Sequence, residues 1–169
     1  MIADPDLYAL FLECDKTFKY RDGLLVRRES IRGTELEYLG RLMSNRGYVH
    51  VKIFNKLYKV HRLIFLLHHG YMPKCIDHID RDPSNNKIEN LREATSAQNQ
   101  QNTKVRTDNT SGVKGVFWRK SEKKWSAQCI ANGKRNSLGS FSNIEDAAAA
   151  VRQFREQHHG EFANHGVQT

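Results

Sequence analysis

The sequence predicts a mixed α+β chain built as two small units. Three observations carry this reading. With 169 residues there is room for one ordinary domain or two small ones. A polar stretch from Ser96 to Ser111, SAQNQQNTKVRTDNTS, separates two segments that are each richer in aliphatic and aromatic side chains. Within both segments, short runs with partial period-two alternation lie beside a run at helical spacing. The expected limits are 1–103 for the first unit, 104–110 for a linker and 111–169 for the second.

In the first unit, FKYRDGLLVRRE and GYVHVKIFNKLYKVHRLIF mix β-branched and aromatic residues with polar ones, broken at Gly23 and Asn55. They predict short strands and hairpins. His61 to His69 then places Leu63, Leu66 and Leu67 at helical spacing, and Gly70 and Pro73 stop that helix. A strand carrying Asp77-His78 follows, then a long polar loop, a second strand over Asn90-Leu91-Arg92-Glu93-Ala94, and a short helix holding Asn99.

In the second unit, GVFW, WSAQCI and RNSLGSF predict three antiparallel strands, with Asn132-Gly133 as the clearest hairpin turn. Ser142 followed by Glu145 has the pattern of a capping box opening a helix that Gly160 ends. Ile144, Ala147, Ala148, Val151 and Phe154 form the face expected to cover one side of the sheet, leaving the other open. His68, His69, His158 and His159 read as solvated residues at helix ends.

Charge narrows the partners. Lys and Arg number 27 against 19 acidic residues, a net charge of +8, with a pI near 9.5. The two halves split at 103 carry +3 and +5, so the shorter one is proportionally the more basic. A polyanion is the first partner to consider. Mean hydropathy is −0.69, and no apolar run reaches the length that a bilayer requires. The acidic start MIADPD lacks the order of a secretion signal, so the expectation is a cytoplasmic protein, not secreted. Cys14, Cys75 and Cys129 form no Cys-x-x-Cys pair, which predicts reduced, packed thiols rather than disulfides or a zinc site.

The segment KCIDHIDRDPSNNKIENLREATSAQNQQN concentrates Asp, His and Asn. Asp-His pairs and Asn-rich loops also occur in ordinary turns, so the joint spacing carries the inference. His78, Asn90 and Asn99, at intervals of 12 and 9, resemble the H-N-N form of the HNH motif of phage and intron homing endonucleases, with the similarity running over about 46–102. This resemblance implies a ββα-metal nuclease core following the N-terminal hairpins.

Phosphodiester hydrolysis needs charge neutralisation, an activated water and a stabilised leaving group. Under the resemblance, Asp77 and Asn99 are the metal ligands, their hard oxygens suiting Mg2+ or Mn2+. His78 becomes the general base, Asn90 braces the loop and orients His78, and Arg92 is a candidate phosphate clamp. Asp80, Asp82, Asn85 and Asn86 read as loop-forming, although one of them is open to binding a second ion. For His61, contact with phosphate, support of the site and a structural role all stay open.

Residues 111–165 resemble the plant ethylene-response-factor, or Apetala-type, DNA-binding domain in its phage-nuclease form. Gly115-Val116, Trp125, Ala127, Ile130, Leu138-Gly139-Ser140-Phe141, Glu145, Ala147, Ala148 and Asn164 carry the likeness. It implies a three-stranded antiparallel sheet, packed on one helix, that enters the DNA major groove, which is about 12 Å wide. Lys114, Trp118, Arg119, Lys120, Lys124, Trp125, Gln128, Arg135 and Ser137 are the candidate contacts, while core anchoring is the competing reading of the two tryptophans. Phe117 stands where the plant family has arginine, so the plant target sequence does not transfer.

The expected function is a site-specific, metal-dependent endonuclease of homing type, acting on double-stranded DNA as a monomer and leaving 5′-phosphate and 3′-hydroxyl ends. Arg27, Arg28, Arg32, Arg41 and Arg46 add a candidate DNA-contacting surface. Two rivals stand beside this reading: a DNA-binding regulator with an inactive nuclease scaffold, and an RNA-binding or RNA-cleaving protein.

Overall fold

A computed structural model describes residues 2–28, 42–43 and 47–166. The chain has mixed α and β structure and divides into two compact units, Met1–Ala94 and Thr95–Thr169. Arg32, Arg41 and Arg46 lie outside the described residues.

The first unit opens with helix α1, Pro5–Thr17, which the strand-based reading above omits. Its signal is nonetheless in the sequence. Asp4 caps the helix by accepting from the backbone N–H groups of Asp6 and Leu7, and Pro5 occupies the first turn, where no intrahelical N–H is needed. Leu10 and Cys14, one turn apart, face the core, and burial pushes the Cys14 thiol up to about 12. All three cysteines are free.

Strands β1, Phe18–Arg21, and β2, Leu24–Arg27, form a hairpin closed by Asp22-Gly23. A second sheet has the order β3-β4-β5, from Leu42–Met43, Val49–Ile53 and Lys56–Lys59. Helix α2, Val60–His69, follows directly and ends at Gly70, whose left-handed backbone returns its N–H to Leu66 O at 2.8 Å. Leu63, Ile64, Phe65 and Leu66 are all buried, more of the helix than one apolar stripe supplies. They sit among Leu10, Cys14, Phe18, Leu25, Val51, Ile53, Ile76 and Leu91, so α2 is the centre of this core.

The last hairpin pairs β6, Cys75–His78, with β7, Leu91–Ala94. Asn90, expected in the second strand, instead ends a short 3-10 turn over Ile88–Asn90. Among the described residues no helix is long and apolar enough to cross a membrane.

The second unit begins with α3, Ser96–Gln101, opened by a capping box between Thr95 and Gln98. Strands β8, Val116–Arg119, β9, Lys124–Ala131, and β10, Lys134–Phe141, form the expected antiparallel sheet, with a bulge between Ser137 and Gly139. Helix α4, Ile144–His159, lies against it. The cap is Asn143 rather than Ser142; its side chain accepts from the Asp146 N–H at 2.8 Å.

Val116, Ala127, Ala147 and Val151 form this unit's core, with Ile144 packed beside them. The buried stripe then continues through Arg155 and His159, while Ala148 and Phe154 are only half-buried. His159 is therefore no solvated helix end. It is 8% exposed, and its Nε2 lies 2.9 Å from Ile130 O.

Gly115 precedes β8 with φ +82°, and a Cβ there would collide with the Gln128 carbonyl and lie 3.2 Å from the Arg155 guanidinium. Gly112 has φ +70° but open space around it. Gly115→Ala is thus expected to destabilise the chain by at least ~2 kcal/mol, against ~1 kcal/mol for Gly112→Ala. Urea unfolding checks the difference; equal losses would contradict the close approach.

Candidate active site

The candidate site is built on β6. In a strand successive side chains point to opposite faces, so Asp77 and His78 separate. Asp77 lies across from Arg92 and accepts from its Nε at 3.0 Å and from its terminal nitrogen at 2.8 Å, both on Oδ2. The two side chains are 5% and 13% exposed, so the pair is well shielded from solvent screening.

His78, 5% exposed, turns the other way, into a group of rings. The His61 ring stands edge-on to it at 4.9 Å between centroids, and the Tyr48 ring lies 6.0 Å from His78 and 5.3 Å from His61. Lys59 places its Nζ 4.1 Å above the Tyr48 ring, a cation–π contact. On its polar side, His78 Nε2 lies 3.1 Å from Oδ1 of the buried Asn86.

The loop joining β6 to β7 is held by its own side chains. Asp80 accepts from the Asp82 N–H, from the Asn85 amide at 2.6 Å and from the Asn90 amide at 2.9 Å. Burial opposes ionisation of Asp80, but these bonds and the nearby His78 outweigh it and hold the carboxyl below its usual range. Bonds from the Ser84 hydroxyl and backbone N–H likewise lower Asp82. Asn90 also accepts from the Asp80 N–H at 3.0 Å and donates to Asn85 O at 2.8 Å. Its amide thus ties the end of the loop to its beginning.

The geometry brings His78, Asn86, His61 and Tyr48 together on one side of β6, and Asp77 with Arg92 on the other. Asn99, on α3 in the second unit, is half-buried. Among the described residues no group of three His, Cys, Asp or Glu forms a cluster able to hold a metal. The sequence reading does not place Tyr48 in the site, and it takes Asn86 as one of four loop-forming residues, one of them open to a second ion, rather than as a partner of His78. The adjacent pair Asn85-Asn86 was the available signal for the latter; Tyr48 offered none.

The strand register of the second unit sorts the candidate nucleic-acid contacts. Arg119, Lys124, Gln128, Arg135 and Ser137 fall on the face away from α4. The exposed Phe117 and Ile130 share that face. Trp118 and Trp125 are cross-strand partners on the helix side, their rings 5.1 Å apart, and Trp125 packs on the core. Lys114 donates to Gln101 O and Thr103 O at 2.7 Å each, and Lys120 is exposed in the β8–β9 turn. In the first unit, Arg28 is paired with Asp15 at 3.1 Å.

His61 has a measurable signature. Burial, helped by the charges of His78, Lys59, Arg62 and His50, lowers it from its ordinary value to about 3, and its Nδ1 is buried without a hydrogen-bond partner among the described residues. The folded chain therefore keeps this ring neutral at a pH where the unfolded chain protonates it. Its contribution to stability is full above about 6.5 and is lost as pH falls toward 3. His61→Phe should lose less thermal stability than the parent between neutral and mildly acidic pH. Parallel melting curves across that range would contradict a neutral, buried His61.

Comparison with known proteins adds an independent observation. The model of the HNH endonuclease family matches residues 58–101, which contain α2, the β6–β7 hairpin and α3. Protein 3.8 of Escherichia phage T7 is 38% identical over 114 residues, covering 66% of this chain and 93% of that protein. An uncharacterized HNH endonuclease of Acanthamoeba polyphaga mimivirus is 35% identical over 108 residues, covering 62% of this chain and 55% of that protein. The chain spans about half the length of the mimivirus relative. No solved structure matches. Residues 58–101 thus carry a domain of the HNH endonuclease family, in a chain that is similar over more than half its length to each of these two viral proteins.

Proposed function

We propose that this chain is a metal-dependent DNA endonuclease of homing type, hydrolysing phosphodiester bonds to 5′-phosphate and 3′-hydroxyl ends. The observation that carries the reading is the division of labour along β6: a carboxylate fixed on one face and a buried imidazole on the other, at adjacent positions.

The donor types, a carboxylate and an amide oxygen, suit a hard divalent cation. Asp77 offers a carboxylate whose direction Arg92 fixes through Oδ2, and the motif assigns Asn99 as a second oxygen ligand on its sequence interval alone. A sparse set of oxygen donors suits magnesium or manganese, which keep several waters, better than zinc. Such an ion, when bound, neutralises phosphate charge and stabilises the departing 3′ oxygen.

The chain's own groups supply the rest. His78 takes the proton from the attacking water. Neutral His61 and the Tyr48 ring wall the imidazole on its apolar side. Asn90 locks the loop beside it. Arg92, which already holds Asp77, would have to share that hold to contribute to phosphate binding.

The open face of the C-terminal sheet is the proposed duplex-binding surface, of the Apetala or ethylene-response-factor type. In this reading Arg119, Arg135 and Gln128 would contact bases and Lys124 and Ser137 would hold phosphate, a role supported by their sharing one face of the sheet. Two linked modules each need only modest affinity. The Asp77–Arg92 ion pair favours a second reading, a DNA-binding regulator whose nuclease scaffold is silent, because a guanidinium already occupies the carboxylate.

A supercoiled-plasmid assay separates the two readings. The wild type should relax plasmid with magnesium or manganese and stop with chelator, giving nicked circles before linear product. His78→Ala should lower the rate about 100- to 10,000-fold with duplex affinity retained. No cutting under either metal supports the regulator, and undiminished cutting by His78→Ala removes the mechanism. Arg119→Ala with Arg135→Ala should weaken duplex binding on the order of tenfold or more; unchanged binding, or stronger retention by structured RNA, would remove the sheet-face assignment.

A further inference from the structure

We propose that Asn86 is a positioning residue for the reaction, its side-chain carbonyl holding His78 in the tautomer protonated on Nε2 and so placing the ring's basic lone pair at Nδ1. This rests on the reading of His78 as the general base. The two side chains are 4% and 5% exposed, and their polar atoms are 3.1 Å apart. An amide oxygen only accepts, so the bond requires a proton on Nε2, and a neutral imidazole then carries none on Nδ1. The hydrogen bond made by one ring nitrogen thereby decides what the other can do.

Neighbouring residues explain why this asparagine serves and the one before it does not. Asn85 turns outward and donates to Asp80. Asn90 donates to Asn85 O, the carbonyl of the peptide that links Asn85 to Asn86. The grip of Asn90 on the loop is thus passed through one peptide group to Asn86, and from Asn86 to the imidazole. His61 and Tyr48, packed against the ring, set its plane; the Asn86 oxygen sets which nitrogen holds the proton.

The test reads the tautomer directly, by long-range 1H–15N correlation of the His78 ring in mildly alkaline buffer, beside single-turnover cleavage. Wild type is expected to show the proton on Nε2. Asn86→Asp, which keeps an accepting oxygen, should preserve that tautomer and most of the turnover. Asn86→Ala should mix the two tautomers and lower kcat about 10- to 100-fold with little change in KM. A wild-type ring protonated on Nδ1 would overturn the proposal, as would an Asn86→Ala variant with unaltered tautomer and turnover. If Asn86→Ala does not fold, the wild-type spectrum and Asn86→Asp decide the matter. The tautomer is observed whether or not the chain cuts DNA, so failure here and failure of the nuclease reading are distinguishable.

Discussion

The pleat of a single short strand governs the candidate site. Because neighbouring side chains on β6 must point to opposite faces, Asp77 and His78 cannot meet the same surroundings, although they are adjacent in the chain. One meets Arg92 across the hairpin and the other meets rings and an amide. A slip of one residue in the pairing of β6 with β7 would exchange those surroundings. The register is held by Ile76 and Leu91, both buried in the core around α2, so the stability of that core and the chemistry of the site have a common origin.

The loop between the two strands is polar, yet it is ordered by an internal net in which Asp80, Asp82, Ser84, Asn85 and Asn90 satisfy one another. Such side-chain bonds to local backbone are what Asn and Asp offer in tight turns. The composition that makes the loop look generic is therefore the composition that lets it aim Asn86 inward. The construction of the loop and the placement of Asn86 beside His78 are not separable here.

Much of this was legible in the sequence. The joint intervals of His78, Asn90 and Asn99 pointed to the family, the turn chemistry of Asn132-Gly133 to the C-terminal hairpin, and Gly70 to the end of α2. What was missed has physical reasons. Helix α1 was overlooked although Asp4 and Pro5 announce it. The choice between Ser142 and Asn143 as a cap is a one-residue ambiguity between two good capping side chains. The burial of Arg155 and His159 follows from how far the stripe on α4 extends along the sheet, which local sequence does not reveal. Tyr48 enters the site only through tertiary packing against His61 and His78, and the side of the sheet that Trp118 and Trp125 occupy follows from register rather than composition.

The reading proposed above places a divalent ion on the Asp77 carboxylate, one position along β6 from the His78 imidazole. Titration of the intact chain with Mn2+, followed by paramagnetic broadening of its histidine ring signals, tests it most directly. The account predicts selective broadening of His78 at low Mn2+ that disappears in Asp77→Ala. Broadening that spares His78, or that persists without the Asp77 carboxylate, would contradict it.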